Sequence, residues 1–198
     1  RILRQDLWEM IVTFIISQQK TIPKIKEAVE LLSSSYGKKL STDDGTFYAF
    51  PSPLELSQAS LDDLKSMKLG YRAKYIHRIC QEWTEGILDL KKLKSMDYDQ
   101  SMDYRTGFYG IGEKVANCIC LFGLHHINAF PIDTWIKKIL LREYYDPKYD
   151  CLPKTRVYET IVQDHFGSYK GYAGVMQQYI FFYERNHSAS ASLETEPA

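Results

Sequence analysis

Apolar residues recur with a helical period from the start of the chain. Leu7, Trp8, Met10, Ile11, Phe14 and Ile15 fall on one stripe, and Asp6 stands where a cap would accept the first free N–H groups. This predicts a buried helix over 7–16. Pro23 opens a second run through Ile25, Val29, Leu31 and Leu32 that closes near Gly37, because a proline in the first helical turn lacks only a donor that would be unpaired anyway. Ser41 to Gly45 reads as a turn, Pro51 and Pro53 lead into short helices at about 54–58 and 61–67, and Gly70 breaks the chain. A longer helix is predicted from Tyr71 to Trp83 with Tyr75, Ile76 and Ile79 inward, then shorter pieces at 88–93 and 98–106. Helices beginning near Glu113 and Thr134, and a last pair at about 156–166 and 172–185, complete the pattern. No segment alternates with the period of two that a half-buried strand requires, so the expected fold class is all-α. The tail over 186–198 is mostly Ser, Ala, Glu and Pro, too poor in apolar residues to order itself, and is expected to be disordered and without chemistry.

Composition narrows the picture without changing it. At 198 residues and 44% hydrophobic content the chain can bury one core or two small joined ones. No stretch approaches the roughly 18 unbroken apolar residues of a membrane span, and no basic-then-apolar leader is seen, so a soluble intracellular protein, cytoplasmic or nuclear, is expected. A chain that opens at Arg1 and runs at once into a helical pattern is expected to lack an N-terminal part. Cys80, Cys118, Cys120 and Cys151 form no CxxC pair and no spacing suited to zinc or an iron-sulfur cluster, which points to free thiols in a reducing compartment and to no metal cofactor. Twenty-five Lys and Arg against 25 Asp and Glu give a net charge of zero, which by itself argues against a nucleic-acid partner. The charge is unevenly placed, however. Lys65, Lys68, Arg72, Lys74 and Arg78 form one basic segment and Lys114, Lys137, Lys138 and Arg142 another, so a basic face is compatible with a neutral whole.

Candidate chemistry concentrates around Phe108-Tyr109-Gly110-Ile111-Gly112-Glu113-Lys114, where two glycines bracket one apolar residue just before a helix. Glycines let the backbone turn tightly and approach a ligand, and the helix N-terminus then aims unpaired N–H groups at an anion such as a DNA phosphate. Taken alone, a GxG of this kind is as consistent with an ordinary helix-to-helix turn. Lys114 falls in the first turn, where the positive end of the helix dipole and partial burial disfavour an ammonium, and a neutral amine is a competent nucleophile. As an isolated residue it would be a solvated surface charge. Asp133 precedes the apolar-periodic run from Thr134, as an N-cap does. Capping N–H groups would keep this carboxylate ionised in a semi-buried place, suited to stabilising a cationic sugar, or would make it a structural cap and no more.

The run Gly110-Ile111-Gly112-Glu113-Lys114-Val115-Ala116-Asn117-Cys118 followed by Phe130-Pro131-Ile132-Asp133 resembles the hairpin, catalytic lysine and catalytic aspartate of the helix-hairpin-helix DNA glycosylase superfamily. Leu69-Gly70-Tyr71-Arg72-Ala73 and Ala173-Gly174-Val175-Met176-Gln177-Gln178-Tyr179-Ile180-Phe181 resemble segments of its 8-oxoguanine DNA glycosylase/AP lyase branch, in the same order, across most of 7–185. The resemblance implies two helical lobes with the active site in the cleft between them. It implies a catalytic region over 1–185 with the hairpin at about 107–123, and a small β-rich lobe ahead of it. It assigns Lys114 as nucleophile and Asp133 as its carboxylate partner. Cys118 and Phe181 would sandwich an extruded purine whose Watson–Crick edge Gln177 bonds, since Lys114 and Cys118, and Gln177 and Phe181, each stand four apart on one helix face. Core packing is the alternative for Cys118 and Phe181. Gln19 matches the side chain that fills the gap left by the flipped nucleotide, and Tyr71 and Arg72 match residues that intrude at the partner base. Gly110 and Gly112 would grip the backbone without reading sequence.

Three positions depart from the pattern: Tyr109 stands where a proline is usual, Trp135 where eukaryotic members carry histidine, and Lys24 where they carry arginine. The implied reaction is attack of Lys114 at the sugar C1′ with loss of the base, then collapse of the Schiff base with strand nicking, by a monomer acting on double-stranded DNA that contains a damaged purine. It needs no metal or organic cofactor, and a monovalent cation at the hairpin is compatible with the resemblance alone. Other readings stay open. The endonuclease III or adenine glycosylase branch would carry a four-cysteine cluster that this sequence lacks, the alkylpurine branch would lack a lysine at position 114, and a non-catalytic helix-hairpin-helix module would bind duplex DNA without Lys114.

Overall fold

The computed structural model describes residues 2–169 and 171–191. Its elements run α1 (Leu7–Ser17), α2 (Ile22–Tyr36), β1 (Lys39–Thr42), β2 (Gly45–Tyr48), α3 (Pro53–Leu56), α4 (Leu61–Ser66), α5 (Arg72–Thr84), α6 (Leu90–Lys94), α7 (Tyr98–Thr106), α8 (Glu113–Phe122), α9 (Thr134–Glu143), α10 (Lys154–Phe166) and α11 (Ala173–Ala191). Single turns of 3-10 helix lie at Pro147–Cys151 and Gly167–Tyr169. Start signals act as expected: Asp6 accepts from the Glu9 N–H, Ser52 and Ser60 close capping boxes, and Asp133 accepts from the Ile136 N–H at 2.8 Å.

Two main apolar cores form among the described residues. The first gathers Ile11, Val12, Ile15 and Ile16 of α1, Ile76 and Ile79 of α5, and Val115, Ala116 and Ile119 of α8. Each fully buried isoleucine contributes about 1.5–3 kcal/mol relative to leaving it in water. The second gathers Ile136, Ile139 and Leu140 of α9 with Ile161 and Phe166 of α10, and Met176, Ile180 and Phe181 of α11 pack against it. Cys120 and Leu121 of α8 meet Ala129 in a small third cluster. From Val115 to Leu121 every residue of α8 is buried.

The all-α class holds, and two details within it are corrected. The chain does contain a sheet, the antiparallel pair β1–β2, with Leu40 opposite Phe47 and Asp43 and Asp44 at the turn. Both strands are exposed along their whole length, so no buried face imposes the alternation by which a strand is recognised. The last helix does not stop at Arg185 but runs to Ala191, because adding residues to an existing helix costs little once its first turns are held. The rest of the expected disordered tail, 192–198, lies outside the described residues.

Candidate active site

The hairpin is built from a glycine that has no substitute and one that does. Gly110 has φ +89°, and a Cβ there would meet the Tyr75 ring at 2.4 Å. Gly112, the N-cap of α8, has φ −83° and nothing within 4 Å of its missing Cβ. Gly110 therefore shapes the turn, while Gly112 leaves space in front of the unpaired N–H groups of α8, where an anion can approach.

Lys114 is half-buried in the first turn of α8, with its Nζ 5.6 Å from the centroid of the Phe14 ring. That ring stacks on Phe122 at 5.7 Å and is thereby fixed as an apolar wall beside the amine. Asp133, also half-buried, caps α9 through Oδ1. Both residues line one open cleft of about 620 Å³, bounded by the Ser17–Thr21 turn on one side and the start of α9 on the other. Cys118 reports their proximity: burial pushes its thiol up to about 11, Lys114 pulls it back, and Asp133 pushes it further. A lysine amine, a fixed carboxylate and a water-accessible space for a substrate thus share one site.

Gln19, Trp135 and Gly112 line the same cleft. Gln19 is exposed at its lip in the left-handed region, φ +51°. Trp135 is 49% exposed, with the Lys138 Nζ over its ring at 5.8 Å. Lys24 does not reach the cleft. It pairs with Glu27 at 2.7 Å and lines an adjoining groove with Gln19, Lys20 and Thr21. Tyr71 is exposed and packs edge-on against Tyr75, which packs edge-on against Tyr109.

Four expected site residues are not presented to a ligand in this structure. Arg72 is buried, at 6% exposure, because its guanidinium is engaged by backbone carbonyls. Cys118 and Gln177 are buried, and Phe181 is packed against the second core. The Gln177 Nε2 donates to the Pro131 carbonyl at 3.1 Å and its Oε1 accepts from Gln178 at 2.6 Å, which leaves its amide satisfied inside the protein. None of these three lines the cleft. Sequence reasoning also passed over Phe14, Gln18 and Lys20 as site residues, and named Lys137 only as part of a basic segment. Gln18 sends its Nε2 to the Gly110 carbonyl at 2.8 Å, tying the end of α1 to the hairpin. Lys20 and Lys137 bring cations into the cleft, and burial together with Arg72 pushes the Lys20 ammonium below the usual lysine range. A larger groove of about 740 Å³ runs along α5 past Lys74, His77 and Arg78 to the hairpin, but neither Lys114 nor Asp133 lines it.

Residues 12–153 match the HhH-GPD superfamily of base excision DNA repair proteins. Over 204 residues the chain is 32% identical to the N-glycosylase/DNA lyase of Saccharomyces cerevisiae, covering 87% of this chain and 54% of that protein. It is 30% identical over 189 residues to the N-glycosylase/DNA lyase OGG1 of Arabidopsis thaliana, covering 93% and 52%. The chain thus spans about half the length of these curated relatives. Among solved structures, the 8-oxoguanine glycosylase/lyase of Clostridium acetobutylicum, in complex with double-stranded DNA containing cytosine opposite 8-oxoguanine, superposes with a TM-score of 0.85. It is 34% identical, over 95% of this chain and 62% of that one.

Proposed function

The chain belongs to the HhH-GPD superfamily of base excision DNA repair proteins, and we propose that it is a bifunctional DNA glycosylase/AP lyase that excises 8-oxoguanine from double-stranded DNA through a lysine Schiff base. The observation that carries this reading is the placement of Lys114 and Asp133, from two different helices, on one cleft. The relatives named above, acting as N-glycosylase/DNA lyases, support it.

The Lys114 amine attacks the sugar C1′ with its lone pair, forming a C–N bond as the C1′–N9 bond breaks, and the base leaves with the electron pair and a proton given up by the amine nitrogen. Positive charge develops on the sugar as the base departs. A carboxylate already oriented by a helix N-terminus, as Asp133 is, stabilises that charge without having to reorganise. Phe14 closes one side of the amine with an apolar face. Ring opening gives the Schiff base, and loss of a C2′ proton then expels the 3′ phosphate and nicks the strand. Gly112 and the N-terminus of α8 grip a phosphate, Gln19 fills the space of the extruded nucleotide, and Tyr71, Trp135 and Lys24 contact the duplex. Cys118, Gln177 and Phe181 form the base pocket, which requires α11 and the Pro131 segment to part from their present contacts. The protein works as a monomer inside the cell.

Borohydride reduction in the presence of duplex DNA containing 8-oxoguanine is expected to trap a covalent adduct, and Lys114→Gln to abolish it. An undiminished adduct in that variant removes Lys114 as nucleophile. DNA binding that is equal with and without Lys114, in a protein that never forms an adduct, would identify a binding module instead.

A further inference from the structure

The loop that ends α1 is held in an unusual backbone conformation, and one buried side chain holds it. Gln19 has φ +51°, in the left-handed region that is costly for a residue with a Cβ. Such a residue persists only where its surroundings fix it. The peptide plane between Gln18 and Gln19 carries the Gln18 carbonyl, and orienting that carbonyl sets the φ of Gln19. The Arg72 guanidinium grips it twice, with Nε at 2.7 Å and with Nη2, while Nη1 donates to the Leu69 carbonyl at 3.3 Å. Its planar face lies over the Tyr71 ring, with Cζ 4.5 Å from the centroid. The other end of Gln18 is fixed as well, through its side-chain bond to Gly110. Lys20, one residue beyond, donates to the Lys68 carbonyl at 3.2 Å.

We infer that Arg72 is a positioning residue: from the base of α5 it locks the Gln18–Gln19 peptide so that Gln19 stands at the lip of the cleft. This rests on the glycosylase reading, and it differs from the role the resemblance implies for Arg72, that of reading the partner base. A guanidinium bound to two backbone carbonyls and 6% exposed has no free fork for a base edge unless it first releases the loop. A lysine at this position would offer one point donor instead of the planar fork that spans both carbonyls.

The two roles separate by their dependence on the partner strand. Single-turnover excision of 8-oxoguanine is measured opposite each of the four bases, and also with the lesion in a one-nucleotide bulge that is already unpaired. Arg72→Ala should slow excision about tenfold, the scale expected on freeing a residue held in a left-handed conformation. The loss should be equal for all four partners and small on the bulge. Gln19→Asn in the Arg72→Ala background should recover most of it, because asparagine enters the left-handed region more readily. A loss concentrated opposite one base, or as large on the bulge, overturns the inference. Hydrogen exchange of the free protein decides the physical premise without any catalysis. In Arg72→Ala the amides of 19–21 should exchange faster while those of α8 are unchanged, and unchanged exchange at 19–21 overturns it. A wild-type protein that releases no base would defeat the glycosylase reading while the exchange result still stood.

Discussion

At the scale of single residues, Asp133 combines two tasks that a substitution can separate. Its Oδ1 accepts the Ile136 N–H at 2.8 Å, and its charge faces the cleft shared with Lys114. Asparagine caps helices as well as aspartate does, so Asp133→Asn keeps the hydrogen bond and removes only the charge. Stability should stay within about 1 kcal/mol of the wild type. DNA affinity should be retained, because a charge that acts on the developing sugar cation contributes in the transition state and not in the bound ground state. Single-turnover excision should fall by about 10²-fold or more, the scale of a preorganised electrostatic group. Binding isotherms and single-turnover rates on the same duplex check this, and equal losses in both would make Asp133 a structural cap. The helix starts at which Lys114 and Asp133 sit were legible in the sequence, because contiguous residues announce them, while the pairing of the two came from the family resemblance. Arg72 and Gln18 were not: their defining contacts join positions 54 and 92 residues apart, and no local pattern encodes those.

At the scale of elements, α8 carries the densest chemistry and the tightest packing together. Burial pushes the thiols of Cys118 and Cys120 up to about 11, against the pulls of Lys114 and Arg105 respectively, and pushes Cys80 of α5 up to about 12. A thiol whose folded value exceeds its unfolded one contributes stability that is complete below the unfolded value of about 8.5 and is lost as pH rises through the folded value. The urea midpoint should therefore hold steady from neutral pH to about 8.5 and then fall as the pH climbs toward 11. Alkylation in the native state should reach the exposed Cys151 well before the three buried thiols. A midpoint that stays flat to pH 11 would mean that the buried thiols ionise without cost. The helices themselves were legible because caps and apolar stripes are local signals, down to the bounds of α7. The β1–β2 hairpin was not, since an exposed strand lacks the buried face that writes alternation into a sequence.

At the scale of the whole molecule, a net charge of zero and the proposed DNA partner are reconciled by where the cations sit. Lys20, Lys114 and Lys137 line the cleft, Lys24 lies in the groove beside it, and the N-terminus of α8 adds its own positive end. Several acids are turned to partners within the chain: Glu143 and Glu184 pair with Arg142, and Asp164 pairs with Lys148. The duplex would meet the local field of the cleft and not the average charge, because fields are screened over about 8–10 Å at ordinary ionic strength. Binding to undamaged duplex should then weaken steeply with salt. Each phosphate neutralised contributes about −0.9 to the slope of log K against log salt, so about four contacts lose about 10²-fold in affinity between 50 and 200 mM. Lys137→Ala should make that slope shallower by about 0.9, with a similar effect on any sequence, since a phosphate contact positions without reading bases. Titrations of one duplex at four salt concentrations, for wild type and variant, measure both quantities. A flat salt response in the wild type would leave these lysines as solvated side chains and take the cleft out of the DNA interface.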